Sequence, residues 1–204
     1  MKKIIVFGFT DNIGGIETFY MSYFKKLNHK KYTIDFITVA QNMAFEEEVK
    51  KHGSKVFKVH NFKRHPFLYA KEIGKIIETG RYDIAHVNML SSANILPLKI
   101  AKKKKVKKII AHVHNNKIPF GIIRRMMDLL NNHKIAHYAT ELVACSEDAG
   151  KWMFKKNKFI VLKNAIEVNK FVYHDEWREQ VRRKFHLSDN TFLNCSNVNP
   201  LGLF

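Results

Sequence analysis

Short apolar runs alternate along the chain with longer stretches in which apolar positions recur at helical spacing, the pattern of βαβ units around a parallel sheet. The first run, Ile4-Ile5-Val6-Phe7, passes through a glycine-containing turn into a segment whose residues Ile16, Phe19, Tyr20, Tyr23, Phe24 and Leu27 fall at i, i+3, i+4, i+7, i+8 and i+11. Such spacing turns one stripe of a helix toward a sheet. Further strands are predicted over 34–39, 55–59, 83–88, 108–114, 142–145 and 159–162, and further helices over 46–52, 67–78, 92–104, 119–139 and 148–154. Gly53 stops the second helix, Pro97 is placed to kink the fourth, Pro119 suits the first turn of the fifth, and Ser146 caps the sixth. The expected fold class is α/β, a Rossmann-like parallel sheet flanked by helices.

Composition supports a folded chain and charge narrows its partners. With 204 residues, 46% hydrophobic and 26% charged, the chain can bury one substantial core and lies far from disordered compositions. Its 36 Lys+Arg against 18 Asp+Glu leave a formal charge of +18, so an anionic partner is expected. Nucleic acid, anionic lipid and phosphorylated small molecules all meet that demand. Cys145 and Cys195 lack metal-ligand spacing, and the chain enters a strand directly after Met1-Lys2-Lys3, which reads as a cytoplasmic protein. No window has the apolar length of a membrane span, so any membrane contact is expected to be peripheral, on the inner face of the plasma membrane.

Two segments bear on that contact. Lys102 to Lys108 reads as a solvated helix end and loop, or else as a contact for head groups or phosphates. Ile118, Phe120, Ile122, Ile123, Met126 and Met127 beside Arg124 and Arg125 suit an anionic leaflet. Ile122, Met126 and Leu129 also stand at i, i+4 and i+7, however, and packing of that stripe on the sheet is expected here.

Candidate chemistry gathers where strands end. Gly8 to Gly15 joins the first strand to the first helix, a position where a helix N-terminus and glycine backbone can approach a phosphate. The spacing is neither GxGxxG nor a Walker loop. In Ala111-His112-Val113-His114-Asn115-Asn116 the two histidines share a strand face; a zinc pair is conceivable there, but no third ligand stands at matching spacing. His114 could instead serve a substrate hydroxyl as an imidazole titrating near neutrality, oriented by Asn115. His86, Asn88, Ser91 and Ser92 end at the same edge and are candidates for the same cleft.

Five motifs then occur in order: Gly14-Gly15-Ile16-Glu17, Asp83-Ile84-Ala85-His86-Val87-Asn88, Ala111-His112-Val113-His114-Asn115, Cys145-Ser146-Glu147-Asp148-Ala149, and Asn164-Ala165-Ile166-Glu167 ending in Lys170-Phe171. The series resembles glycosyltransferase family 4, especially bacterial enzymes of capsular and exopolysaccharide synthesis. That resemblance implies one half of a GT-B fold, the N-terminal acceptor-side domain over 1–187. It implies a retaining, metal-independent transfer from a nucleotide-sugar to a glycan or polyprenyl-linked acceptor, with no cofactor. By the same resemblance Gly14 and Gly15 approach the donor phosphate, His114 lies near the reacting sugar, and Glu17, Asn88 and Asn115 line the acceptor cleft.

The sequence departs from the family's pattern at Lys163, where a proline is usual, at Glu167, where an aspartate is usual, and over 188–204, where an aberrant tail stands in place of the start of the donor domain. The chain alone is therefore expected to be inactive, its donor half either lost by truncation, the favoured reading, or supplied by another polypeptide. The alternative class is a basic nucleic-acid- or polyanion-binding module, for which charge is the evidence and no recognised motif is present, so no nucleic-acid partner is expected. The sequence leaves the oligomeric state open.

Overall fold

In a computed structural model the described residues are 1–115, 121–164 and 168–192. They include seven strands: β1 (Lys2–Phe9), β2 (Tyr32–Thr38), β3 (Val56–Lys58), β4 (Ile84–Met89), β5 (Lys108–Val113), β6 (Glu141–Ala144) and β7 (Ile160–Val161). The helices of the same unit are α1 (Gly15–Phe24), α2 (Glu46–Lys51), α3 (Pro66–Gly80), α4 (Leu96–Lys103), α5 (Ile122–Asn132), α6 (Ile135–Tyr138) and α7 (Glu147–Phe154). Every strand pair is parallel, in the order β3-β2-β1-β4-β5-β6-β7. The sheet is thus the doubly wound one that the alternating pattern predicts.

Alternation along each strand divides the core into two layers. Ile5 and Phe7 of β1, Ala85, Val87 and Met89 of β4, and Ile109, Ala111 and Val113 of β5 pack under Tyr69, Ile73 and Ile77 of α3, Leu98 and Ala101 of α4, and Met153 and Phe154 of α7. On the other face Val6, Phe9, Ile34 and Phe36 meet Phe19, Tyr20 and Phe24 of α1 and Val49 of α2. The aromatic rings there stack edge to face, Phe9 on Phe36 with centroids 5.0 Å apart and Phe9 on Tyr20 at 5.6 Å.

Local signals act largely as expected. The Ser146 hydroxyl caps α7 by accepting from the Ala149 N–H at 3.1 Å, and Gly53, at φ +81°, follows the end of α2. Pro97 departs from expectation: it stands in the first turn of α4 and starts the helix instead of kinking it, because its missing N–H falls where no intrahelical partner exists. Pro119 and the residues around it, 116–120, lie outside the described residues, as does the tail from 193 onward. The basic run is a helix end and loop, with Lys104 paired to Glu78 at 2.7 Å and Lys108 to Glu141 at 3.5 Å.

The compact unit that carries this sheet spans Met1–Ile166, and a second unit covers Glu167–Phe204. The second unit contains a 3-10 turn, Val168–Phe171, and α8 (Asp175–Lys184). Acidic Asp175 and Glu176 open α8 and Arg182, Arg183 and Lys184 close it, the order that complements a helix dipole.

Candidate functional site

The order of strands reverses between β1 and β4, so their carboxyl ends diverge around a crevice. A cavity of about 760 Å³ occupies it. Its walls are largely apolar, Phe62, Tyr69, Met89, Pro97, Ile123 and Met127 among them, and Thr10, Lys63, Asn88, Ser91 and Asn94 supply polar groups. That combination of apolar walls and a few polar groups is characteristic of small-molecule sites.

β1 and β4 approach closely at this edge. Gly8 takes φ +101° at a register shift in the β1–β2 pairing, and a side chain there would bring its Cβ to 2.7 Å from the Asn88 carbonyl oxygen. Glycine is required on both counts. The loop that follows is tied down from beneath by Glu17. This carboxylate is 3% exposed; Oε1 accepts from the N–H and the hydroxyl of Thr10, both at 2.9 Å, and Oε2 accepts from the Gly14 N–H at 3.2 Å. Glu17 thus shapes the turn from the third position of α1. Gly14 spends its N–H inside the loop, whereas a Cβ at Gly15 would meet nothing within 4 Å. The open start of α1 is therefore at Gly15, where first-turn N–H groups and the positive end of the helix dipole project.

The second part of the rim is polar chemistry on the α1 side of the sheet. His86 and Asn88 on β4 register beside Ile110 and His112 on β5, and His114 follows one residue beyond that strand. Asn88 links the two halves. Its Nδ2 donates to the Phe7 carbonyl at 2.9 Å, which leaves Oδ1 to accept from His114 Nε2 at 2.9 Å. His114 therefore carries its proton on Nε2, and its Nδ1 is an acceptor. That nitrogen is buried and has no hydrogen-bond partner among the described residues.

The histidines form a row, with His86 Nε2 3.2 Å from His112 Nδ1, and the rings of His112 and His114 4.0 Å apart at their centroids. Phe19 and Tyr20 of α1 pack edge-on against this row. Burial in this aromatic setting pushes the imidazole of His114 down to about 4, and burial with the neighbouring imidazoles pushes His86 to about 3 and His112 to about 2. The expectation that His114 titrates near neutrality is not met: desolvation holds the imidazole well below its ordinary value and keeps it neutral near pH 7. The pair His112 and His114 does share a face, but their rings lie against each other and, among the described residues, no three His, Cys, Asp or Glu side chains converge on a metal-sized space.

The expected residues thus fall into two groups on one edge. Thr10, Asn88 and Ser91 line the cavity, and Gly15 and His114 stand on the adjoining α1-side rim, which Asn88 joins through its bond to His114; Glu17, expected in the acceptor cleft, is instead buried beneath the loop, and His112 is fully buried against His114. His86 and Ser92 lie deeper. His86 packs under Tyr20, and the fully buried Ser92 bonds Asp128. Asn115 follows His114 at the same edge. Residue-by-residue reading missed Tyr69, which α3 carries to the cavity at a position that shows only core spacing in the sequence, and Lys63 and Asn94, which stand in the turns just before α3 and α4 and carry no motif.

Comparisons with known proteins agree with this architecture. The sequence profile of Glycosyltransferase Family 4 matches residues 13–170. A Bacillus subtilis (strain 168) protein provisionally named glycosyltransferase EpsF is 28% identical over 170 residues, covering 78% of this chain and 44% of the relative. Among solved structures, a glycosyltransferase from Rickettsia africae is similar with a TM-score of 0.60 at 18% identity, covering 93% of this chain and 50% of that one. A Neisseria meningitidis UDP-GlcNAc 2-epimerase bound to UDP-GlcNAc is similar at 0.60 and 14% identity, covering 94% and 55%. The S. aureus protein MnaA with UDP gives 0.60 at 13%, covering 91% and 50%. The chain spans about half the length of these relatives.

Proposed function

The chain belongs to glycosyltransferase family 4, and on that premise we propose that it is the acceptor-side half of a cytoplasmic enzyme that moves a hexose from a nucleotide-sugar to a glycan or polyprenyl-linked acceptor in bacterial surface-polysaccharide synthesis. The reading rests on one observation: the rim brings a neutral imidazole acceptor, His114 Nδ1, and the open helix start at Gly15 to the same strand edge, beside a cavity of ligand size.

Each group has a part in the proposal. The first turn of α1 faces the donor's phosphates, where backbone N–H groups and dipole favour negative charge. His114, held by Asn88 through Nε2, is assigned to accept from a sugar hydroxyl at Nδ1, the nitrogen left without a partner among the described residues. Asn88, Ser91, Asn94 and Lys63 hold the acceptor in the cavity, whose apolar walls suit a lipid-linked molecule better than a bare glycan. The reaction is proposed to proceed without metal or cofactor, and to need a donor-binding half in addition to these residues.

Joining residues 1–164 to the C-terminal half of the B. subtilis relative and measuring nucleotide release from nucleotide-sugars with lipid-linked acceptor tests the reading. Transfer is expected, and His114→Ala should lower it by about 100-fold or more while the protein stays folded. A folded chimera whose turnover is indifferent to His114 would contradict the proposal.

A further inference from the structure

α5 is turned inside out. At 100° per residue Asp128, Asn131 and Asn132 share one side of this helix and Ile122, Met126, Leu129 and Leu130 the other. Packing on the sheet predicts the apolar side inward. Instead Asp128 is 8% exposed and its Oδ1 accepts from the Ser92 N–H at 2.7 Å and the Ser92 hydroxyl at 2.5 Å. Ile122 is left 78% exposed, Met126 58% and Leu129 77%, with Ile123 and Leu130 likewise open. The anchor of the helix is its one acid, so its outward side carries apolar residues and no negative charge.

Cations border that side. Arg125 is exposed on α5 itself. On one flank Lys63 lines the cavity that Ile123 and Met127 also line, and on the other Lys155 shares a groove with Arg125, Leu129, Trp152 and Asp128, whose carboxylate is spent on Ser92. No helix among the described residues is long and apolar enough to cross a membrane. An outward apolar stripe bordered by cations, on a chain of net charge +18, has the chemistry of a helix that lies in an interface.

We propose that the outward face of α5 seats in an anionic lipid leaflet, with Ile122, Met126, Leu129 and Leu130 at the acyl boundary and Arg125, Lys63 and Lys155 near lipid phosphates. Charge selects this occupant over a second copy of the chain, since two such basic faces repel while an anionic leaflet attracts both. Seating α5 in this way sets the cavity mouth beside Ile123 and Met127 at the bilayer surface. The inference concerns the surface and stands apart from the assignment of sugar transfer.

Flotation of the purified chain with vesicles tests it. Binding is expected to phosphatidylglycerol vesicles and not to phosphatidylcholine, weakening as salt rises. The double variant Ile122→Glu, Leu129→Glu changes only exposed positions and should retain the parent's circular dichroism while its partition coefficient falls at least roughly tenfold. Arg125→Ala should lower binding less and flatten its salt dependence. Absence of binding to the anionic vesicles, or binding that the double variant leaves intact, would overturn the proposal. So would self-association in sedimentation that the same variant abolishes, which would assign the face to a second copy.

Discussion

Asn88 is the residue on which the site turns, because one side-chain amide donates to the Phe7 carbonyl and accepts from His114. Asn88→Asp keeps the shape but removes the donor and places a carboxylate against the imidazole. The His114 pKa should then rise from about 4 by at least one unit, read from its ring proton shifts in NMR. An unchanged titration would mean that Asn88 does not set the tautomer.

Stability should report the whole imidazole row. The unfolded residues titrate near 6.5 while the folded His86, His112 and His114 are held at about 3, 2 and 4. Below pH 6.5 the unfolded chain therefore binds protons that the folded chain refuses, so stability is full above that pH and falls as pH drops toward 4. Unfolding free energy at pH 5 is expected to be about 3–6 kcal/mol lower than at pH 7 in urea titrations. A flat profile would mean the row is solvated. Position on the strand made His112 and His114 legible as one face in the sequence; their burial, and hence their charge, was not, because it depends on Phe19 and Tyr20 arriving from another element.

Among the elements, β1 through β5 and α1 through α4 were readable from periodicity, since buried parallel strands and amphipathic helices each leave a distinct repeat. α5 was misread for a physical reason. Its apolar stripe satisfies core packing and interface seating equally well, and the side that faces inward was decided by one buried polar partner, Ser92, 36 residues earlier in the chain. Asp128→Ala should leave the Ser92 N–H without its acceptor, the hydroxyl keeping only the residue-128 carbonyl, and cost about 1–3 kcal/mol, with faster amide hydrogen exchange across Ile122–Asn132 before the sheet is affected. Uniform loss of protection over β4 and β5 would show that α5 is part of the main cooperative core.

Gly8 is a second case in which an element's geometry exceeded its pattern. The sequence marks it as the start of a turn, but the structure places it at a register shift in the β1–β2 pairing and in close approach to Asn88 of β4. Gly8→Ala should therefore destabilise the chain by about 2–5 kcal/mol, from backbone strain together with overpacking, as measured by the urea midpoint.

For the molecule as a whole, family membership was legible because five weak motifs keep the order that the sheet imposes on them. Charge alone would have left a polyanion-binding module equally open. Each motif that falls among the described residues of the sheet unit ends at the carboxyl edge or next to it, where a ligand meets backbone N–H groups, and that shared edge is the physical content of the resemblance. On the proposed reading nucleotide-sugars bind along this rim, and because the chain spans about half the length of its relatives the binding is expected to be weak. Chemical-shift mapping of the labelled chain with UDP-sugar raised to millimolar concentration examines that directly. The perturbed signals are expected at Thr10, Gly15, Asn88 and His114; shifts confined to Lys102–Lys108, or to the amino ends of the strands, would contradict the assignment of this rim as the wall of a glycosyltransferase cleft.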